Sequence, residues 1–481
     1  MNAPASWIFR NVARLLPQGD RVDAGAKGAP GARGTDARMQ ATLRRAGEAL
    51  PPRTLRRLLT DLQEVAAPRL SEVEAGRHAQ AVAQWYASAA PEERRDLWLL
   101  LCEQFAPDAQ RVQAAQQRYL EAAGTDEAPQ AEAQLRRALV SPRTRLLQRF
   151  AVFPQGLRFL VDLRAELLPH LKTDPRLLPL DAELEQLFST WFDVAFLQLR
   201  RLSWDSPASL LEKLIEYEAV HDIKGWADLK NRLDSDRRCY GFFHPRLDGV
   251  PLIFVEVALV TAISDSITPL LDEAAAPADL ARATTAIFYS ISNTQTGLRG
   301  VSFGDSLIKH VVETLQGEFP RLRTFATLSP IPGFRAWLSR HGAAQLALLQ
   351  DKERLELTRA LRLPDGEEVE LAQVLAAVEG DTPLEPKSPV RQFVLRCAAR
   401  YLGRELHDGR PLDAVARFHL GNGARVERLN WGGDPSAKGR KQSFGLMVNY
   451  LYDPKRLDRH REMLAEGRIP VSKEIEALCK G

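Results

Sequence analysis

Between about residues 40 and 235, apolar positions return every three or four residues. The runs PRTLRRLLTDLQEVA, AVAQWYASA, PEERRDLWLLLCEQF, GLRFLVDLRAELLPHL and LEQLFSTWFDVAFLQLRRL each place them on one side of a helical period, and β-branched alternation is scarce. This predicts an all-helical region. Prolines at 51, 52, 91, 142, 154 and 207 fall near the expected helix starts, and Ser206 before Pro207 reads as a cap followed by a first-turn proline. After DSDRRCYGFFHP the pattern changes: VPLIFVEVALV (250–260), TTAIFYSIS (284–292) and RLRTFATLS (321–329) are rich in β-branched or aromatic residues, lie between turn signals, and read as strands. Helices alternate with them. GDSLIKHVVETLQGEF carries Leu307, Ile308, Val311, Val312 and Leu315 on one face, GFRAWLSRH opens another helix, and a helical insertion at about 340–402 precedes FHLGNGARVERLNW and QSFGLMVNYLYD. The expected organisation is a disordered arm over 1–40, a helical domain over 41–235 and an α/β domain over 236–481.

Between the second strand and the next helix stands SISNTQTGLRGVSFGDSLIKHVVETL, with Gly297, Gly300 and Gly304 in its loop. Glycines permit φ > 0 and close approach of backbone to a ligand, and a helix start directs unpaired N–H groups and a positive dipole end into the loop. That combination suits a phosphate. The same glycines also suit a tight strand-to-helix turn with no ligand, and the spacing leaves both readings open. It is neither G-x-x-x-x-G-K-[ST] nor a dinucleotide fingerprint with an acidic residue about 20 positions on.

Composition narrows the class. The 481 residues are 45% hydrophobic and 26% charged, as in an ordinary globular protein, and 65 basic against 62 acidic residues leave a net charge of +3, without the basic excess of a nucleic-acid binder. Cys102, Cys239, Cys397 and Cys479 are far apart, which fits buried thiols in a reducing compartment. No apolar run reaches the roughly 18 residues of a membrane span. The Arg- and Ala-rich first 40 residues resemble a mitochondrial transit segment, but Asp20, Asp23, Asp36 and the run GAKGAPGARGT fit a disordered arm better. A cytoplasmic protein is expected, with the mitochondrial matrix as the alternative.

Four blocks in order, RRCYGFFHPRLDGVPLIFVEVAL, YSISNTQTGLRGVSFGDSLIKHVV, EFPRLRTFATLSPIPGFRAWL and FHLGNGARVERLNWGGDPSAKGRKQSFGLMVNYLYD, resemble the malonyl-CoA decarboxylase family. The resemblance is close over about 200–338 and 412–453. It implies a helical bundle used for oligomer contacts, as a dimer or tetramer, followed by a catalytic domain resembling the N-acetyltransferase superfamily fold, a mixed sheet flanked by helices. Coenzyme A would then bind along QTGLRGVSFGD, that is Gln295, Gly297, Arg299, Gly300, Val301, Ser302, Phe303, Gly304 and Asp305, with Ser290 on the strand before it. Its pantetheine arm would pass between splayed strands. Similarity assigns Ser329 of LSPIPGF to the malonyl carboxylate or a transferable proton, His419 of FHLGNGA to proton donation, and Tyr452 of NYLYD to the active site. Ser302 stands where animal members carry a glutamate, so a relay through that carboxylate is replaced or absent here.

The implied reaction turns malonyl-CoA into acetyl-CoA and CO2. It needs no metal or organic cofactor, because the thioester is itself the electron sink. Lys438, Arg440 and Lys441 of PSAKGRKQS are further candidates for the coenzyme phosphates, against the ordinary reading of a solvated basic loop. An acyl-CoA N-acetyltransferase and a catalytically silent coenzyme A-binding regulator are the alternatives, the first lacking its usual signature and the second having no chemical reason to keep both Ser329 and His419. The chain ends EALCKG, without the S-K-L address.

Overall fold

A computed structural model of the chain describes residues 49–247, 249–301, 307–364, 367–380 and 382–480, so the arm expected over 1–40 lies outside the described residues. Helices fill 52–191. In Pro52–Ala66 the buried residues are Leu55, Leu58, Leu59, Leu62 and Val65, the three- and four-residue spacing that aims one stripe at a core. Each such side chain contributes about 1.5–3 kcal/mol when removed from water. Ser141 Oγ accepts from the Thr144 amide ahead of Pro142, which satisfies an orphan donor of the first turn. At Ala208–Tyr217 the expected cap is not formed: Ser206 Oγ accepts from the Ser203 amide at 3.1 Å, closing the preceding turn, and Pro207 takes the cap position.

The sheet comprises β1 (Gln198–Leu202), β2 (Arg237–Phe243), β3 (Ile253–Val260), β4 (Thr285–Asn293), β5 (Thr324–Thr327) and β6 (Ser329–Pro330), with β7 (Leu406–His407) and β8 (Arg410–Pro411) set apart as a small hairpin, then β9 (Arg425–Asn430) and β10 (Met447–Tyr452). Its order is β1-β2-β3-β4-β5-β10-β6, with β9 on β10. Only the β4–β5 pair is parallel among the described strands, joined through the helix Leu307–Glu318. Strand β1 departs from the helical pattern read over 40–235. Leu199 and Leu202 are spaced as in a helix, but antiparallel pairing with Phe242 and Cys239 of β2 overrides that weak local signal. The helices Phe334–Ala347, Asp351–Ala360, Leu371–Glu379 and Pro389–Gly403 occupy the region read as a helical insertion.

One break in the sheet prepares the site. β4 and β5 stay paired from Thr285↔Thr324 to Phe288↔Thr327, and the Leu328 amide donates to Phe288 O at 2.9 Å. Beyond that bond they part. β4 carries on with β3 alone, through a bulge that makes Tyr289 the extra residue between Ser290↔Glu256 and Phe288↔Val257. The other strand continues as Ser329–Pro330 on β10, and Pro330 has no N–H with which to rejoin β4. A helical half followed by a mixed sheet with helices on its faces is the fold class expected from the resemblance.

Candidate active site

Where β4 and β5 separate, three of the named side chains meet. His419 stands on the helix Ala414–Gly421, whose start is fixed by Asp413: Oδ1 accepts from the Val415 and Ala416 amides, both at 2.9 Å, and Oδ2 accepts from the Tyr401 hydroxyl. Its Nε2 is 3.2 Å from Ser329 Oγ and its Nδ1 is 2.7 Å from the Tyr452 hydroxyl. The ring stacks on Tyr450, with centroids 4.7 Å apart at 27°. All four residues are buried.

Burial settles the protonation states. Desolvation alone pushes the His419 pKa down to about 3, so the imidazole is neutral. Desolvation likewise raises Tyr452 well above the ordinary phenol value, so it keeps its proton. Ser329 Oγ donates to Thr327 Oγ1 at 2.9 Å, and Thr327 Oγ1 also accepts from the Tyr450 amide at 3.0 Å. With its own proton engaged there, Ser329 accepts from His419 Nε2–H, and His419 Nδ1 accepts from Tyr452. The network thus assigns one direction: Tyr452 to His419 to Ser329 to Thr327. The imidazole N–H faces the Ser329 side.

Ser329 and His419 open into a cavity of about 700 Å³ between the parted strands, walled by Phe288, Ser290 and Ile291 on one side and by Val415, Arg417 and Phe418 on another. Arg299, Gly300 and Val301 line it as well. Among the described residues lining it are two arginines, Arg299 and Arg417, and no carboxylate, so it favours an anion. Arg417 anchors its Nε–H on Pro411 O at 3.2 Å and makes no ion pair among the described residues.

The glycine loop divides into two faces. Arg299 has φ −58° and ψ 128°, Gly300 has φ +81°, and the Val301 amide donates to Leu298 O at 3.0 Å. This is a type II turn, which requires glycine or its like at the third position. Gly297 is glycine for another reason: a Cβ there would lie 1.9 Å from Val161 O on the helix Gly156–Leu167. The Leu298, Arg299 and Val301 amides are spent on bonds within the turns, so they are not open phosphate donors. Gln295 is buried, with Arg158 donating to its Oε1 at 3.1 Å.

Of the residues named from sequence, Ser290, Arg299, Gly300, Val301, Ser329 and His419 share the cavity, and Tyr452 backs the histidine. Gln295 and Gly297 face the helical half instead. Ser302, Phe303, Gly304 and Asp305 lie outside the described residues. The Ser290 hydroxyl is turned to Glu218, donating at 2.7 and 2.8 Å, and Ser292 donates to the same carboxylate. Lys438 is engaged too, donating to Ala219 O, Val220 O and Asp222. Sequence reasoning missed Thr327, Arg417 and Glu218. Thr327 stands two positions before Ser329 and Arg417 two before His419, spacings that gave no signal of their own.

The chain matches the family model described as Malonyl-CoA decarboxylase C-terminal domain over residues 195–481, and that of the N-terminal domain over 105–192. The chain belongs to the malonyl-CoA decarboxylase family. It is 36% identical to the mitochondrial malonyl-CoA decarboxylase of Anser anser anser over 432 residues, 86% of this chain and 83% of that one. Among solved structures it is similar to the malonyl-CoA decarboxylase of Cupriavidus metallidurans, at 43% identity and TM-score 0.70, covering 89% of this chain and 100% of that one. The Rhodopseudomonas palustris structure gives 40% and 0.73, with 87% and 98% covered. Family membership supports a carboxy-lyase and favours neither the acyltransferase nor the silent regulator. No helix among the described residues is long and apolar enough to cross a membrane.

Proposed function

We propose that the chain decarboxylates malonyl-CoA to acetyl-CoA and CO2 at the Ser329–His419–Tyr452 site. Membership of the family supports the reaction. The observation that carries the mechanism is the directed hydrogen-bond chain opening into an anion-favouring cavity between parted strands. The pantetheine arm enters beside β4. Arg299 and Arg417 meet phosphate charge at the mouth, and the pyrophosphate lies against Gly300 and the start of the helix at Leu307.

Ser329 turns its hydroxyl from Thr327 to the malonyl carboxylate and holds it out of conjugation with the thioester. The bond from C2 to the carboxylate carbon breaks, its electron pair moves into the enolate, and CO2 leaves. C2 then takes a proton from His419 Nε2. A carboxylate arriving beside a dry, neutral imidazole raises its pKa by opposite charge, so a proton enters on Nδ1 with the substrate, the Tyr452 hydroxyl turning to accept from it, and balances the one consumed at Nε2. Following acetyl-CoA and CO2 release by purified protein tests the reaction.

Assembly through the helical half belongs to the same reading. The paired helices Ala109–Glu121 and Ala128–Leu139 bury only Ala115, Ala131 and Ala138 among their described residues and leave Leu120, Leu139 and the adjoining Val140 exposed, a surface suited to a second copy. Sedimentation would distinguish monomer, dimer and tetramer. A cytoplasmic or mitochondrial matrix setting is consistent with its free thiols, of which Cys102, Cys239 and Cys397 are buried as expected, whereas Cys479 is only half-buried.

A further inference from the structure

Three arginines of the helical half are buried and use their guanidinium forks on backbone carbonyls. Arg143 donates to Leu101 O and Cys102 O, and Arg149 to Val65 O, Ala67 O and Leu70 O, all within the bundle. Arg164 differs in where its carbonyls come from. Its Nη1 donates to Gly297 O and Arg299 O, both at 2.9 Å and more than 130 residues along the chain, in the loop that lines the cavity. Asp181 accepts from its Nε at 2.8 Å, and Glu185 accepts from Nη2 at 3.4 Å, so the fork is held from behind.

We infer that Arg164 is a positioning residue for coenzyme binding: it clamps the two carbonyls that bracket Leu298 and so sets the turn carrying Arg299 and Gly300 at the cavity wall. The proposal rests on the coenzyme reading of the cavity. A peptide unit whose carbonyl is tied cannot rotate about its neighbours without losing a charge-assisted bond in a buried place. With Gly297 O and Arg299 O both tied, the Arg299–Gly300 turn has one orientation. The neighbouring packing is equally tight, since Gly297 lies directly on the backbone of Val161 one turn before Arg164. The helical half therefore contributes to the coenzyme site itself, in addition to any role in assembly.

The test compares Arg164→Met with Arg143→Met, which removes an equally buried carbonyl clamp that does not touch the loop. Coenzyme A affinity is read by calorimetry, kcat and KM with malonyl-CoA, and amide exchange at Leu298, Arg299 and Val301 by deuterium uptake. Arg164→Met is expected to raise the coenzyme A Kd and the KM by about tenfold, the scale of losing such bonds, to leave kcat within about twofold, and to speed exchange at the three amides. Arg143→Met is expected to lower thermal stability without moving Kd or loop exchange. Equal weakening of coenzyme A binding by both variants, or an unchanged Kd in Arg164→Met, overturns the proposal. Should Arg164→Met fail to fold, Arg164→Lys keeps a cation beside Asp181 but lacks the fork. It should show a smaller rise in Kd with faster loop exchange, and wild-type values for both overturn the clamp. If the wild-type protein itself does not bind coenzyme A, the reading of the cavity fails, while unchanged loop exchange in the variants would independently overturn the clamp.

Discussion

The Tyr452 hydroxyl lies 2.7 Å from His419 Nδ1, and this contact selects the imidazole nitrogen that carries the proton. Because Ser329 spends its own proton on Thr327, His419 Nε2–H donates to Ser329, and Nδ1 accepts from the Tyr452 hydroxyl, which burial keeps protonated. Tyr452→Phe removes that instruction while preserving the ring. Turnover is expected to fall by about ten- to a hundredfold, below the full contribution of a general acid, with acetyl-CoA affinity unchanged. Steady-state kinetics beside a binding titration checks this, and wild-type turnover would remove Tyr452 from the proton path.

Stability should depend on pH through the same histidine. Burial holds His419 at about 3 in the folded protein, whereas an unfolded chain titrates near 6.5. The folded-state value is depressed, so between those limits the unfolded chain binds the proton that the folded chain refuses. The contribution is whole above about pH 6.5 and declines by about 1.4 kcal/mol per pH unit as pH falls toward 3. His221, lowered by burial to about 4, acts in the same direction over a narrower range. Urea midpoints should fall between pH 7 and pH 5, and fall less in His419→Asn. Parallel loss in both proteins would contradict the assignment.

The two loop glycines should fail differently when changed to alanine. At Gly297 the new Cβ meets Val161 O at 1.9 Å, so the interface between the helical half and the loop must open, destabilising the fold by about 3 kcal/mol or more. At Gly300 there is space around the new Cβ but φ is +81°, so about 1–3 kcal/mol of strain enters the turn. Coenzyme A binding should weaken in Gly300→Ala, and further in Gly300→Asp, where a negative charge stands against phosphate. Denaturation and calorimetry of the three variants would reveal a reversed order if the roles are misassigned.

These glycines also show what the chain made legible. Strands β3, β4 and β5 were readable because continuous apolar runs bounded by turns are local signals, and Ser329 and His419 were named through motifs that stay contiguous. Gly297 and Gly300 looked alike in sequence, since the distinction depends on a helix more than 130 residues earlier. Arg164 was invisible for the same reason. On a helical wheel it reads as one more charged residue, and its burial follows only from docking of the helical half on the loop. β1 was misread because five residues with two leucines carry too little periodicity to outweigh their neighbours. The low pKa of His419 is a property of enclosure by Tyr450, Tyr452 and Phe418, which residue identity alone does not reveal.

The central claim is that His419 supplies the proton to C2 while Ser329 holds the malonyl group. It is tested most directly by malonyl-CoA turnover in the wild type, His419→Asn, Ser329→Ala and the double variant, with acetyl-CoA affinity measured on each. His419→Asn keeps a side chain of similar reach without a titratable proton, and turnover should fall by about 10²–10⁴, with affinity nearly unchanged. The double variant should lose less than the product of the single losses, because groups on one proton path act as a unit. Turnover near wild type in His419→Asn would contradict the account.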